Sequence, residues 1–75
     1  MNAVDRKLIA DALSKCPRQL HIIANHCTFY QGNLDRYISN PDDFESKIAA
    51  EYHEKILRSF LVTGDIRQSV KLFRR

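Results

Sequence analysis

Tryptophan is absent, and glycine, proline and cysteine occur only twice each in 75 residues. Two isolated glycines exclude a glycine-rich phosphate loop. Two cysteines, Cys16 and Cys27, are too few for a disulfide framework. They read as small buried hydrophobes in a reducing compartment. No apolar run approaches the roughly 20 residues of a membrane span. Asp5, Arg6 and Lys7 place charge where the apolar core of an export signal would sit. The expectation is a cytoplasmic protein. Sustained apolar/polar alternation is missing, which argues against strands. A chain of this length holds one domain, residues 1–75, and excludes a two-domain enzyme or a repeat array.

What is present suits a small folded domain. Hydrophobic residues make up 44% and charged residues 28%, enough apolar content for collapse. The net charge of +3 is unevenly placed. Residues 1–64 carry eight Lys/Arg and eight Asp/Glu, which cancel. Residues 65–75 carry Arg67, Lys71, Arg74 and Arg75 against Asp65, so the whole excess lies there. Residues 30–54 hold six acids against Arg36 and Lys47, a net of −4. Such polarity marks either an anionic partner at the basic end or the helix dipole's preference for acidic starts and basic ends.

The periodicity predicts an all-α compact single domain of three to four helices around one long helix, about 41–63. A first helix is expected over about 3–15, capped by Asn2, with Val4, Leu8, Ile9, Ala12 and Leu13 on one face. Cys16-Pro17 ends it. A second is expected over about 17–29, with Leu20, Ile23, Ala24 and Cys27 inward, and Gly32 as a left-handed stop. Leu34–Ser39 reads as a short further turn. Asn40-Pro41-Asp42-Asp43 is the strongest start signal, with Asn40 as the cap. Phe44, Ile48, Tyr52, Ile56, Leu57, Phe60 and Leu61 then form one apolar stripe. Gly64 stops that helix and Asp65 caps the last, about 66–75. On the last helix Ile66, Val70 and Phe73 share one face, and the four cations share the other.

Catalytic and metal readings fare poorly. Cys16 and Cys27 fall within about 20° of each other on a helical wheel, whereas His21 and His26 point elsewhere. With His53 they lack zinc-ligand spacing, so no metal and no cofactor are expected. His26 and Cys27 are adjacent and diverge on a helix, so they form no nucleophile–base pair. Asp42-Asp43 is explained by its place at a helix start. No catalytic residue is assigned, and the protein is read as a non-enzyme.

The segment from Ile56 to Phe73, with its Gly64-Asp65 corner, resembles two kinds of helix pair. One is the opening pair of Fis-type or small-terminase-type DNA-binding modules. The other is a tetratricopeptide-like αα-hairpin, closed here by Leu72-Phe73. The resemblance covers about a quarter of the chain and lacks a third, recognition helix after Arg75, so no family is assigned. A second helix–turn–helix candidate spans 3–29. It offers Arg18, Gln19, His21, Asn25 and His26 as base-reading groups.

The function expected is that of a small regulatory binding protein contacting nucleic acid through its C-terminal helix, with transcriptional control as the setting. Arg67, Lys71, Arg74 and Arg75 carry the phosphate contacts, Lys55 and Arg58 add to them, and Gln68 and Ser69 supply hydrogen bonds. The alternative is a protein–protein adaptor or inhibitor. It would use the acidic segment 35–54, with Asp42 and Asp43, and the aromatics Phe29, Tyr30 and Tyr37. The wide stripe of the long helix also suits a homodimer.

Overall fold

The computed structural model describes residues 3–74. Four α-helices follow one another: α1 (Arg6–Lys15), α2 (Leu20–Ser39), α3 (Phe44–Thr63) and α4 (Ile66–Phe73). A 3₁₀ turn, Pro17–Gln19, leads directly into α2. No strand occurs among the described residues. The all-α expectation holds, while several boundaries move.

Each boundary has a local cause. Helix α1 starts three residues later than its pattern implied, because Asp5 provides the cap. Its carboxylate accepts from the Leu8 amide at 3.1 Å. Asn2, the expected cap, lies outside the described residues. Pro17 opens the 3₁₀ turn, as its fixed φ favours. Gly32 does not stop α2. The helix runs through it to Ser39, absorbing both the expected stop and the separate turn at 34–39. Buried Tyr30 and Leu34 flank Gly32 and hold the helix together by packing. A lone helical glycine costs only about 1 kcal/mol, less than either side chain gains by burial.

The start of α3 is also displaced. Asp43, not Asn40, is its cap, accepting from the Ser46 amide at 3.1 Å and the Ser46 hydroxyl at 2.8 Å. Asn40 instead ends α2, and its side chain accepts from the Asp42 amide at 3.3 Å. Pro41 and Asp42 form the turn between them. At the other end, Gly64 adopts φ +72, the left-handed stop expected of it. Asp65 then caps α4 by accepting from the Gln68 amide at 3.1 Å. Helix α4 closes at Phe73.

Helices α2 and α3 form the principal hairpin, and α4 packs back along α3. The antiparallel sense of the first pair shows in its contacts. His26 meets His53 near one end, and Lys47 lies over the Tyr37 ring near the other. The core comprises Leu8, Ala12, Ile23, Cys27, Tyr30, Leu34, Ala50, Ile56, Leu57, Phe60 and Ile66. Helix α1 crosses the open side. Its start is tied down where Tyr30 Oη accepts from the Asp5 amide at 2.9 Å and where Arg58 reaches Asp5. Its end is tied where Lys15 donates to the Leu61 carbonyl.

The expected stripe of the long helix divides. Ile56, Leu57 and Phe60 are fully buried, yet Phe44 is 63% exposed and Ile48 45% exposed. Ser46 and Ala50 face the core in their place. Leu20, expected inward on α2, also sits largely outside.

Candidate nucleic-acid interface

Helix α4 is short and sharply two-sided. Ile66 and Ser69 are buried and Val70 and Phe73 half-buried, while Arg67, Gln68, Lys71 and Leu72 face outward. The inner face is fixed by more than apolar contact. Ser69 Oγ donates to the Asp65 carbonyl at 3.0 Å and meets Ser59 Oγ at 3.0 Å. This anchors α4 on α3 through a buried, satisfied Ser69 hydroxyl that meets the half-buried Ser59. It also corrects the expectation for Ser69. A fully buried hydroxyl with partners inside the fold is not offered to a phosphate.

Arg67 and Lys71 stand one turn apart on the outer face, and Arg74 follows where the chain leaves the helix in extended conformation. They rim a groove of about 280 Å³ between α4 and the start of α2, whose floor is Ile22, Ile66 and Val70. Arg67 and Lys71 also border a second, shallower depression with Asp65, Gln68 and Leu72. Among the described residues no carboxylate forms an ion pair with Arg67, Lys71 or Arg74. Arg75 lies outside the described residues.

The two additional cations are placed differently. Arg58 donates to Glu54 at 3.1 Å and to Asp5 at 3.2 Å. These partners, Glu54 first, hold its pKa above the ordinary value. Its charge is committed to joining α1 and α3. Lys55 is exposed on α3, beside Glu51, Tyr52 and Phe73 rather than beside Arg67 and Lys71. The basic cluster is therefore Arg67, Lys71 and Arg74.

The residues of the adaptor reading are dispersed. Tyr30 is 1% exposed and bonded to the Asp5 amide, so it is core and not a surface anchor. Burial pushes its phenol above the usual range. Tyr37 is half-buried, with Lys47 above its ring. Phe29 is exposed but stacks on His53, ring centroids 5.3 Å apart. Asp43 is occupied as a helix cap. The Ser46 amide, and then its hydroxyl, hold its carboxyl below the ordinary value. Asp42 is exposed in the turn.

One arrangement escaped sequence reasoning. His26 Nδ1 and His53 Nδ1 lie 3.0 Å apart across the α2–α3 seam. One ring donates and the other accepts, so at least one is neutral. Burial lowers the pKa of both, and His26 nearby lowers His53 further, to about 4. The only signal available was the hairpin itself. A turn at 40–43 brings the twenties of one helix beside the fifties of the next.

The Cys27 thiol is buried and its pKa raised by that burial, the opposite of an activated nucleophile. Among the described residues no three His, Cys, Asp or Glu side chains converge as metal ligands, and no helix is long and apolar enough to cross a membrane. No protein-family model, curated protein or solved structure matches this chain.

Proposed function

We propose that this protein is a non-catalytic nucleic-acid-binding protein whose α4 lays Arg67, Lys71 and Arg74 against a phosphate backbone. The observation that carries the reading is a contrast among the cations. Arg58 is paired with two carboxylates, whereas the three at α4 are exposed, clustered and unpaired among the described residues. They also belong to the segment that holds the chain's entire net positive charge. Unneutralised cations on one face release counterions when they meet phosphates, which is the main source of sequence-independent affinity. Gln68, exposed between Arg67 and Lys71 on the same face, supplies a hydrogen-bonding group.

The double variant Arg67→Ala/Lys71→Ala tests this. Binding to a random DNA duplex falls, and the slope of log affinity against log salt decreases by about two. Arg58→Ala, by contrast, leaves that slope unchanged and removes at most about 1 kcal/mol of stability, since its pairs are exposed. Unaltered affinity and slope in the double variant would contradict the assignment. The exposed Phe44 and Ile48 within the acidic segment 35–54 support a separate protein contact there.

A further inference from the structure

The exposed half of α3 is apolar in the middle and charged with both signs at its ends. Glu45, Ile48, Tyr52 and Lys55 recur at spacings of three, four and three, the seam of a helix that packs on another helix. Ile48 is 45% exposed, and Phe44, one turn before it, is 63% exposed. Two adjoining grooves, of about 650 and 160 Å³, share Ile48 and Tyr52 and run along this seam. Small Ala49 sits in the larger groove, so a second helix can approach closely there.

We infer that this seam is the contact surface of a symmetric homodimer in which α3 of one chain packs antiparallel on α3 of another. The charge order selects a second copy of this chain. An antiparallel pair of α3 helices crossing midway between Ile48 and Tyr52 sets residue i opposite residue 100 − i. That register places Glu45 opposite Lys55 of the other copy, twice by symmetry, and Ile48 opposite Tyr52. Glu45 and Lys55, the charges that close the seam, then each meet the opposite sign in a self-complementary contact. A phosphate backbone gains little on this face, because Glu45 and Glu51 offset Lys55 and Arg74 along it. The contact leaves Arg67 and Lys71 outside the seam, whereas Arg74 borders both the larger seam groove and the α4 groove.

Glu45 and Lys55 are ten residues apart, about 15 Å along one helix. They cannot pair with each other within a chain, so rescue on mixing the two charge variants reports on contact between chains. Sedimentation equilibrium of the wild-type protein up to about 1 mM yields a monomer–dimer equilibrium. Ile48→Asp, at an exposed position, gives a monomer with unchanged helical circular dichroism. Glu45→Lys alone and Lys55→Glu alone each weaken the dimer at least about tenfold, since like charges then face each other. Mixing those two variants restores dimer as a heterodimer in which both charge pairs are favourable. A single-chain mass at every concentration would overturn the proposal. So would a dimer that survives Ile48→Asp, or a mixture that stays monomeric.

Discussion

The two glycines do opposite things, and a single added methyl group separates them. Gly64 sits at φ +72, where an L side chain is strained, although the added Cβ would meet only Lys15 Cε at 3.8 Å. Gly64→Ala therefore costs about 1–2 kcal/mol from the backbone alone. Gly32 is helical, and a Cβ there meets nothing within 4 Å. Gly32→Ala gains about 0.5–1 kcal/mol by removing unfolded-state freedom. Chemical denaturation of both variants checks the pair of signs. Gly64 was legible because Thr63-Gly64-Asp65 carries stop and cap together. Gly32 was misread because a glycine alone does not reveal whether its neighbours are core. The His26–His53 contact adds a pH dependence. Both histidines titrate below their ordinary value in the fold, with His53 at about 4. The unfolded chain thus binds more protons between about pH 4 and 6.5, and stability falls as pH drops through that window. The rings are only half-buried, so the loss from His53 is about 1 kcal/mol after allowance for solvent screening. Thermal melts of the wild type and His53→Phe at pH 7 and 4.5 compare the two, and the variant shows the shallower decline.

At the scale of elements, the α3–α4 corner was the best-read part of the chain. Gly64, Asp65 and the alternation of Ile66, Val70 and Phe73 with Arg67 and Lys71 each have a local cause, and local causes are visible in sequence. What the pattern could not show was which polar residue on α4 faces inward. Ser69 lies on the same side as Ile66 and Phe73 and is buried against Ser59. Ser69→Ala therefore lowers stability by about 1 kcal/mol and leaves nucleic-acid affinity unchanged when measured well below the melting temperature. A loss of affinity without loss of stability would return Ser69 to the binding surface. The stripe on α3 was misjudged for a related reason. Seven apolar residues at helical spacing look continuous, but α2 and α4 together cover only part of that helix. Ile56, Leu57 and Phe60 are enclosed, and Phe44 and Ile48 are left outside. Apolar spacing states which residues share a face. It does not state how much neighbouring helix is available to cover them.

Across the whole molecule, charge is sorted by place. Of the acids of 35–54, Asp35 lies on α2, Asp43 caps α3 and Glu45, Glu51 and Glu54 lie along α3; the cations of residues 1–64 are balanced in number by acids, and the surplus lies in residues 65–75. The sum was readable from sequence, and so was its concentration in one helix. The structure adds which cations are committed elsewhere, with Arg58 as the clearest case. Three phosphate contacts per chain imply a slope of log affinity against log salt near −2.7, and two chains acting together imply about twice that. The direct measurement is fluorescence anisotropy of a labelled random duplex titrated with protein at about 50 and 200 mM salt. The account predicts binding at the lower concentration and an affinity lower by roughly 40-fold or more at the higher. No binding at the lower concentration, or an affinity indifferent to salt, would contradict a phosphate-contacting role for Arg67, Lys71 and Arg74.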